Sequence, residues 1–104
     1  MDTLQNAADN NPIMVVVNIQ SEHTSQAELY TITLSLVDNT REESGCLEYN
    51  CYCNIDDDSV MEMILFKNTA AHKAHMNSPH VLAFQEKYQP LNLQYRVQRV
   101  NYTS

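Results

Sequence analysis

Gly45 is the only glycine in a chain of 104 residues, and its position constrains the fold more than any other feature. It stands in Arg41-Glu-Glu-Ser-Gly-Cys-Leu-Glu-Tyr49, between a charged run that reads as a helix tail and an alternating run that reads as a strand. A sole glycine belongs where no side chain fits. At this junction the expectation is a positive φ that stops the helix. A second junction follows at His75-Met-Asn-Ser-Pro-His80, where Ser78 recaps the chain and Pro79 takes the first helical position.

The other elements follow from these two fixed points. Ile13 to Ile19 is β-rich with apolar residues on both faces, as a central strand requires, and Pro12 marks its start. Ser25-Gln-Ala-Glu28 has the form of a capping box. The segment it opens, Leu29 to Val37, fits a helical stripe through Leu29, Ile32, Leu36 and Val37. It also alternates like a strand through Tyr30, Ile32, Leu34 and Leu36. The cap, the length to Glu43 and the Gly45 stop favour one helix. Leu47, Tyr49, Cys51 and Cys53 then share a face of a second strand, and Val60 to Phe66, with Glu62 among apolar neighbours, forms a third. The polar turn at Asn54 to Ser59 makes the two a hairpin. Asn68 caps a helix over Thr69 to Met76, the restarted helix runs to about Tyr88, and Pro90 ends it. Leu93 to Tyr102 is a last strand. Its apolar positions change face after Val97, which predicts a bulge or a change of partner near Arg99.

The order is βαββαβ, the α+β ferredoxin-like arrangement: a four-stranded antiparallel sheet with both helices on one face. Residues 12–104 form one domain, and residues 1–11 a frayed polar extension. Strands that are apolar on both sides leave the second sheet face uncovered, and a second copy of the chain is the economical cover.

Charge and cysteine content narrow the partners. A net charge of −7 with six Lys and Arg provides no basic face, which argues against nucleic acid and against an anionic membrane surface. The longest apolar stretch, Ile13 to Val17, is too short to span a bilayer, and the N-terminus lacks the apolar core of a secretory signal. Cys51 and Cys53 point to the same strand face with parallel side chains, so they suit a disulfide poorly. Reduced thiols in the cytoplasm are the simpler reading. A zinc site built from His72, His75, His80, Cys51 and Cys53 is disfavoured, because Cys-x-Cys on a strand is not a usual half-site and the helix break displaces His80. His72 defaults to the surface, and Cys46 to a small buried hydrophobe.

The run Glu43-Ser-Gly-Cys-Leu-Glu-Tyr49, followed by the hairpin, Ala71 to His75 and Ser78-Pro-His80, resembles the antibiotic biosynthesis monooxygenase family over roughly Ile13 to Val100. That family's pattern reads glutamate-x-Gly-Cys-x-x-Tyr, later Glu-x-Trp, then Ala-x-x-x-His and Ser/Thr-Pro-His. The resemblance implies a dimeric α/β barrel, a homodimer joined through its sheet faces, with a pocket between sheet and helices in each subunit. It also implies oxidation of small aromatic or quinol-like metabolites by O₂ without cofactors, metal or flavin. The family's iron-ligating histidine of haem-degrading relatives meets Phe84 and Gln85 here, so haem is not expected.

Carried onto this chain, the resemblance makes His75 the catalytic base or hydrogen-bond donor, with Asn18, Tyr49, Glu62, Phe66 and His80 as substrate-binding candidates. Most have a plainer role open to them: Asn18 bonds a neighbouring main chain, Tyr49 and Phe66 are core, His75 is a helix-face histidine bonded to a backbone carbonyl, and His80 packs over the dimer or bonds the cap. The family's tryptophan position holds Phe66 and its glutamate position Ile64, with Glu62 two residues back on the same face. Two alternatives to the oxygenase therefore stand: proton transfer on a small hydroxy-ketone, as in autoinducer-processing relatives, and a non-catalytic dimeric ligand-binding module.

Overall fold

The computed structural model describes residues 11–102, so the proposed frayed extension lies almost wholly outside the described residues. The elements are β1 (Ile13–Gln20), α1 (Gln26–Leu34), α2 (Val37–Arg41), β2 (Cys46–Cys53), β3 (Val60–Phe66), α3 (Thr69–Met76), α4 (Pro79–Lys87), a 3₁₀ turn (Gln89–Leu91) and β4 (Gln94–Asn101). The four strands form one antiparallel sheet in the order β2-β3-β1-β4. This is the expected ferredoxin-like βαββαβ fold.

Strand period decides which side chains meet the helices. Ile13, Val15, Val17 and Ile19 of β1 and Val60, Glu62, Ile64 and Phe66 of β3 are buried on the helix side. Met14, Val16, Met61, Met63 and Leu65 lie on the other side and are half-buried. Every residue of β4 is exposed. The helix layer lies chiefly over β2 and β3, with α1 and α2 against β2 and α3 against β3.

Four local expectations change. Gly45 does not have a positive φ; among the described residues only Asn92, at φ 49°, does. The glycine is needed for close approach, since a Cβ at Gly45 would lie 2.4 Å from Cβ of Ala71 on α3. The helix after Ser25 is not continuous. The Ser35 and Leu36 amides donate to the carbonyls three residues back, those of Ile32 and Thr33, and the Ser35 hydroxyl also donates to Ile32 at 2.6 Å. These tighter bonds end α1 at Leu34, as serine and threonine back-bonding favours. β4 pairs with β1 in unbroken register from Gln94 to Asn101, so the bulge expected near Arg99 is absent and Val100 simply faces the opposite side from Val97. The irregularity lies instead in β2 between Cys46 and Glu48, and the extra residue, Leu47, is 55% exposed and does not join the face of Tyr49.

Of the caps that the sequence suggests, those at Ser25 and Asn68 form and the one at Ser78 does not. Ser25 accepts from the Glu28 amide at 3.2 Å and Asn68 from the Ala71 amide at 2.8 Å. The Glu28 carboxylate accepts from the Thr24 hydroxyl at 2.9 Å. Ser78 precedes Pro79 at the start of α4, but its hydroxyl donates back to the His75 carbonyl at 2.6 Å and makes no cap bond.

Candidate active site

The α3–α4 junction brings His75 and His80 onto one carboxylate. Nδ1 of His75 lies 2.8 Å, and Nε2 of His80 2.7 Å, from the same Oε2 of Glu43. A carboxylate oxygen only accepts, so each facing ring nitrogen carries the proton. Glu43 reaches this place because α2 ends just before it and Gly45 lets the following chain pass against α3. The Arg41 guanidinium donates to the Tyr49 carbonyl at 2.8 Å and ties the same turn to β2. His80 also has Ser78 Oγ at 3.3 Å and Thr40 Oγ1 at 3.5 Å. His75 is 6% exposed and rests on the ring of Phe66, with centroids 5.2 Å apart.

With Nδ1 occupied by Glu43, Nε2 of His75 is the basic nitrogen, and no hydrogen bond from a described residue engages it. His75 lines a cavity of about 340 Å³ between the sheet and the helices. Val15, Val17 and Ile64 floor it, and Leu36, Val81 and Phe84 wall it from the helices. Tyr95 and Val97 of the exposed β4, 49% and 54% accessible, stand at its open side. A carboxylate–imidazole pair on the wall of an apolar space is suited to taking a proton from a bound hydroxyl and holding the resulting imidazolium beside a negative charge.

Glu62 also lines this cavity and is 6% exposed. Burial pushes its carboxyl up to about 7 against the weaker opposing effect of the Tyr49 hydroxyl. Tyr49 is 1% exposed and behind the wall, its hydroxyl buried without a hydrogen bond; burial and the neighbouring Glu62 hold it far above the ordinary tyrosine range. The same two causes push the Cys51 thiol up to about 12. Phe66 is fully buried under His72 and His75 and does not line the cavity.

Two sequence candidates lie elsewhere. Asn18 points away from the helices, because it sits one residue out of phase with Val17 and Ile19. Its side chain accepts from Asn54 Nδ2 at 3.2 Å in a separate polar cleft with Gln20, Asp57 and Arg96. His80 holds Glu43 and does not reach the cavity wall. Conversely, His72, expected at the surface, is half-buried on the wall, and burial, with Arg99 and His75 adding, lowers its pKa. Glu43 is not singled out by its local sequence pattern. Its one signal is its place two residues before Gly45 in the family motif.

Glu43, His75 and His80 also bring three ligand-type atoms within 4.8 Å of one another, a two-histidine, one-carboxylate set. Their contacts are hydrogen-bonded, so an ion there would have to replace both bridging protons. The cysteines do not join this set; Cys46, Cys51 and Cys53 are free thiols.

Residues 12–87 match the sequence model of the family described as antibiotic biosynthesis monooxygenase. The chain belongs to that family. An uncharacterized protein of Synechocystis sp. is 29% identical over 77 residues, 73% of this chain and 52% of its own length, so this family member spans about half of that curated relative. Among solved structures, PA3566 of Pseudomonas aeruginosa superposes with a TM-score of 0.80 at 22% identity, over 92% of this chain and 98% of that one. SnoaB of Streptomyces nogalater, a cofactor-independent oxygenase, superposes with a TM-score of 0.77 at 13% identity, over 90% and 95% of the two chains. At these identities the likeness is one of fold. Among the described residues no helix is long and apolar enough to cross a membrane.

Proposed function

We propose that this member of the antibiotic biosynthesis monooxygenase family oxidises a small phenolic or quinol-like metabolite with O₂ and no cofactor. The observation that carries the reading is the His75–Glu43 pair on the wall of an apolar cavity of about 340 Å³. That volume lies at the small end of ligand sites and suits one or two rings. Nε2 of His75 takes the proton of the ring hydroxyl while Glu43 holds Nδ1–H and steadies the charge. The phenolate then passes one electron to O₂. The two radicals join at the ring carbon opposite the oxygen, and loss of water from the resulting peroxide leaves a quinone. Phenol plus O₂ gives quinone plus water, so no external reductant is needed. The dry walls keep the reactive pair from bulk water.

Oxygen uptake with a panel of phenols tests this. One O₂ should be consumed per quinone formed, and His75→Ala should lower the rate by about 10²–10⁴-fold, the usual worth of a general base. Undiminished turnover in His75→Ala sinks the reading. Phe66 and Ile64 at the family's tryptophan and glutamate positions favour a second reading, proton transfer on a small hydroxy-ketone in the same cavity. Turnover unchanged under argon would select it.

The half-buried apolar sheet face supports a homodimer joined through its sheets, and three free thiols suit a reducing, cytoplasmic setting.

A further inference from the structure

Glu62 is the sole carboxyl on the cavity wall. It stands on β3 between the core residues Val60 and Ile64, and only 6% of its surface is exposed. Its polar neighbours include the Tyr49 hydroxyl and Cys51 thiol of β2 and the Tyr95 hydroxyl of β4. None of these supplies a positive charge, and the Tyr49 hydroxyl is itself buried with no hydrogen bond completed. A carboxylate left unpaired in such a place is costly, whereas the neutral acid is tolerated. The neutral acid has an O–H to donate, and the lining residues beside it are largely apolar.

We propose that Glu62 recognises a carbonyl oxygen of the substrate, donating its carboxyl proton to it. The preferred substrate then carries both a ring hydroxyl for His75 and a ketone-type carbonyl for Glu62. This rests on His75 as the group that meets the hydroxyl. A cationic ligand suits the site less, since an ammonium would have to shed its water in an apolar space.

Three ring-matched probes separate these possibilities in anaerobic binding at pH 6.0. They are 6-hydroxy-1-tetralone, the same ring with a methylene for the carbonyl (5,6,7,8-tetrahydro-2-naphthol), and the same ring with an amine in its place. The ketone should bind about tenfold more tightly than the methylene compound, the worth of one buried hydrogen bond. Glu62→Gln, whose amide still donates, should keep most of that preference, and Glu62→Leu should erase it. Equal binding of ketone and methylene compound overturns the proposal, as does a preference that survives Glu62→Leu, tightest binding of the amine, or no binding of any probe at millimolar concentration. If Glu62→Leu does not fold, the wild-type ranking and Glu62→Gln decide. Because no oxygen is present, failure here leaves the oxygenase reading standing. Failure of oxygen uptake leaves this binding preference to be judged by itself.

Discussion

At the scale of single residues, Gly45 and Glu62 show how far a sequence carries and where it stops. A lone glycine announces a backbone constraint, but not which kind. Here the constraint comes from Ala71, 26 positions further along the chain but in contact in space, which the local sequence pattern does not show; no positive φ is involved. Gly45→Ala should therefore destabilise the fold by about 1–3 kcal/mol through overpacking. Adding Ala71→Gly should recover part of the loss, because the next contact, Cα of Ala71, is 3.4 Å away. Chemical denaturation of the two single variants and the double measures the coupling; additive losses would refute the contact. Glu62 has its own signature in pH. Its carboxyl rises from 4.5 to about 7 on folding, so its full contribution is present below pH 4.5. That contribution is lost between 4.5 and 7, as the unfolded chain ionises first. The change is worth on the order of 3 kcal/mol. Tyr49 and Cys51 from β2 and Tyr95 from β4 are shifted upward and stay neutral across that window. His72 and His75 face the same space from α3, and His72 is shifted downward, so it opposes the trend. The difference between wild type and Glu62→Gln isolates the carboxyl. The variant should gain relative stability as pH rises from 4.5 to 7, and a pH-independent difference would show that Glu62 is not perturbed.

At the scale of elements, the cues that worked were those whose physics is local. Asn68 and Ser25 cap the helices that follow because their side-chain oxygens reach amides three residues on, a relation written entirely in the sequence. Asn68→Ala should cost about 1 kcal/mol and appear as early fraying of α3 in amide exchange, with His75 at its far end. Unchanged protection of the Ala71 amide would show that the cap contributes little. The break after Leu34 was less legible. Thr33 and Ser35 hydroxyls donate to the carbonyls of Leu29 and Ile32, and whether such residues bend a helix depends on what the next turn packs against. The bulge at Leu47 and the regular β4 likewise follow from pairing partners that pattern alone does not name. The candidate site divides the same way. His75 was legible from its motif. Glu43 was not, because the hydrogen bond that makes it matter spans 32 residues and two elements. Asn18 was misplaced because β1 is apolar on both faces, so its sequence does not say which face meets the helices.

At the scale of the whole molecule, the helix layer satisfies only half of the sheet. Its far face presents Met14, Val16, Met61, Met63 and Leu65, all half-buried, with the exposed Tyr52 and Val100 beside them. The register places these side chains together: Val16 opposite Met63, Met14 opposite both Leu65 and Val100, and Met61 opposite Tyr52. The central strands thus carry an apolar stripe, with Asn50 and Gln98 flanking it on β2 and β4, which suits a meeting with its own copy about a two-fold axis. Methionines at its centre adapt to a facing copy at low strain. The proposed homodimer therefore has a defined weak point. A charge at Met63, at the middle of β3, would have to be buried against the second sheet, whereas in a monomer it would face water. Met63→Glu should shift sedimentation at micromolar concentration from dimer to monomer. The cavity lies on the other side of the sheet, so the variant's probe binding should survive if the monomer folds. A wild-type protein that already sediments as a monomer would remove the dimer, and a Met63→Glu dimer of unchanged stability would move the interface to another surface.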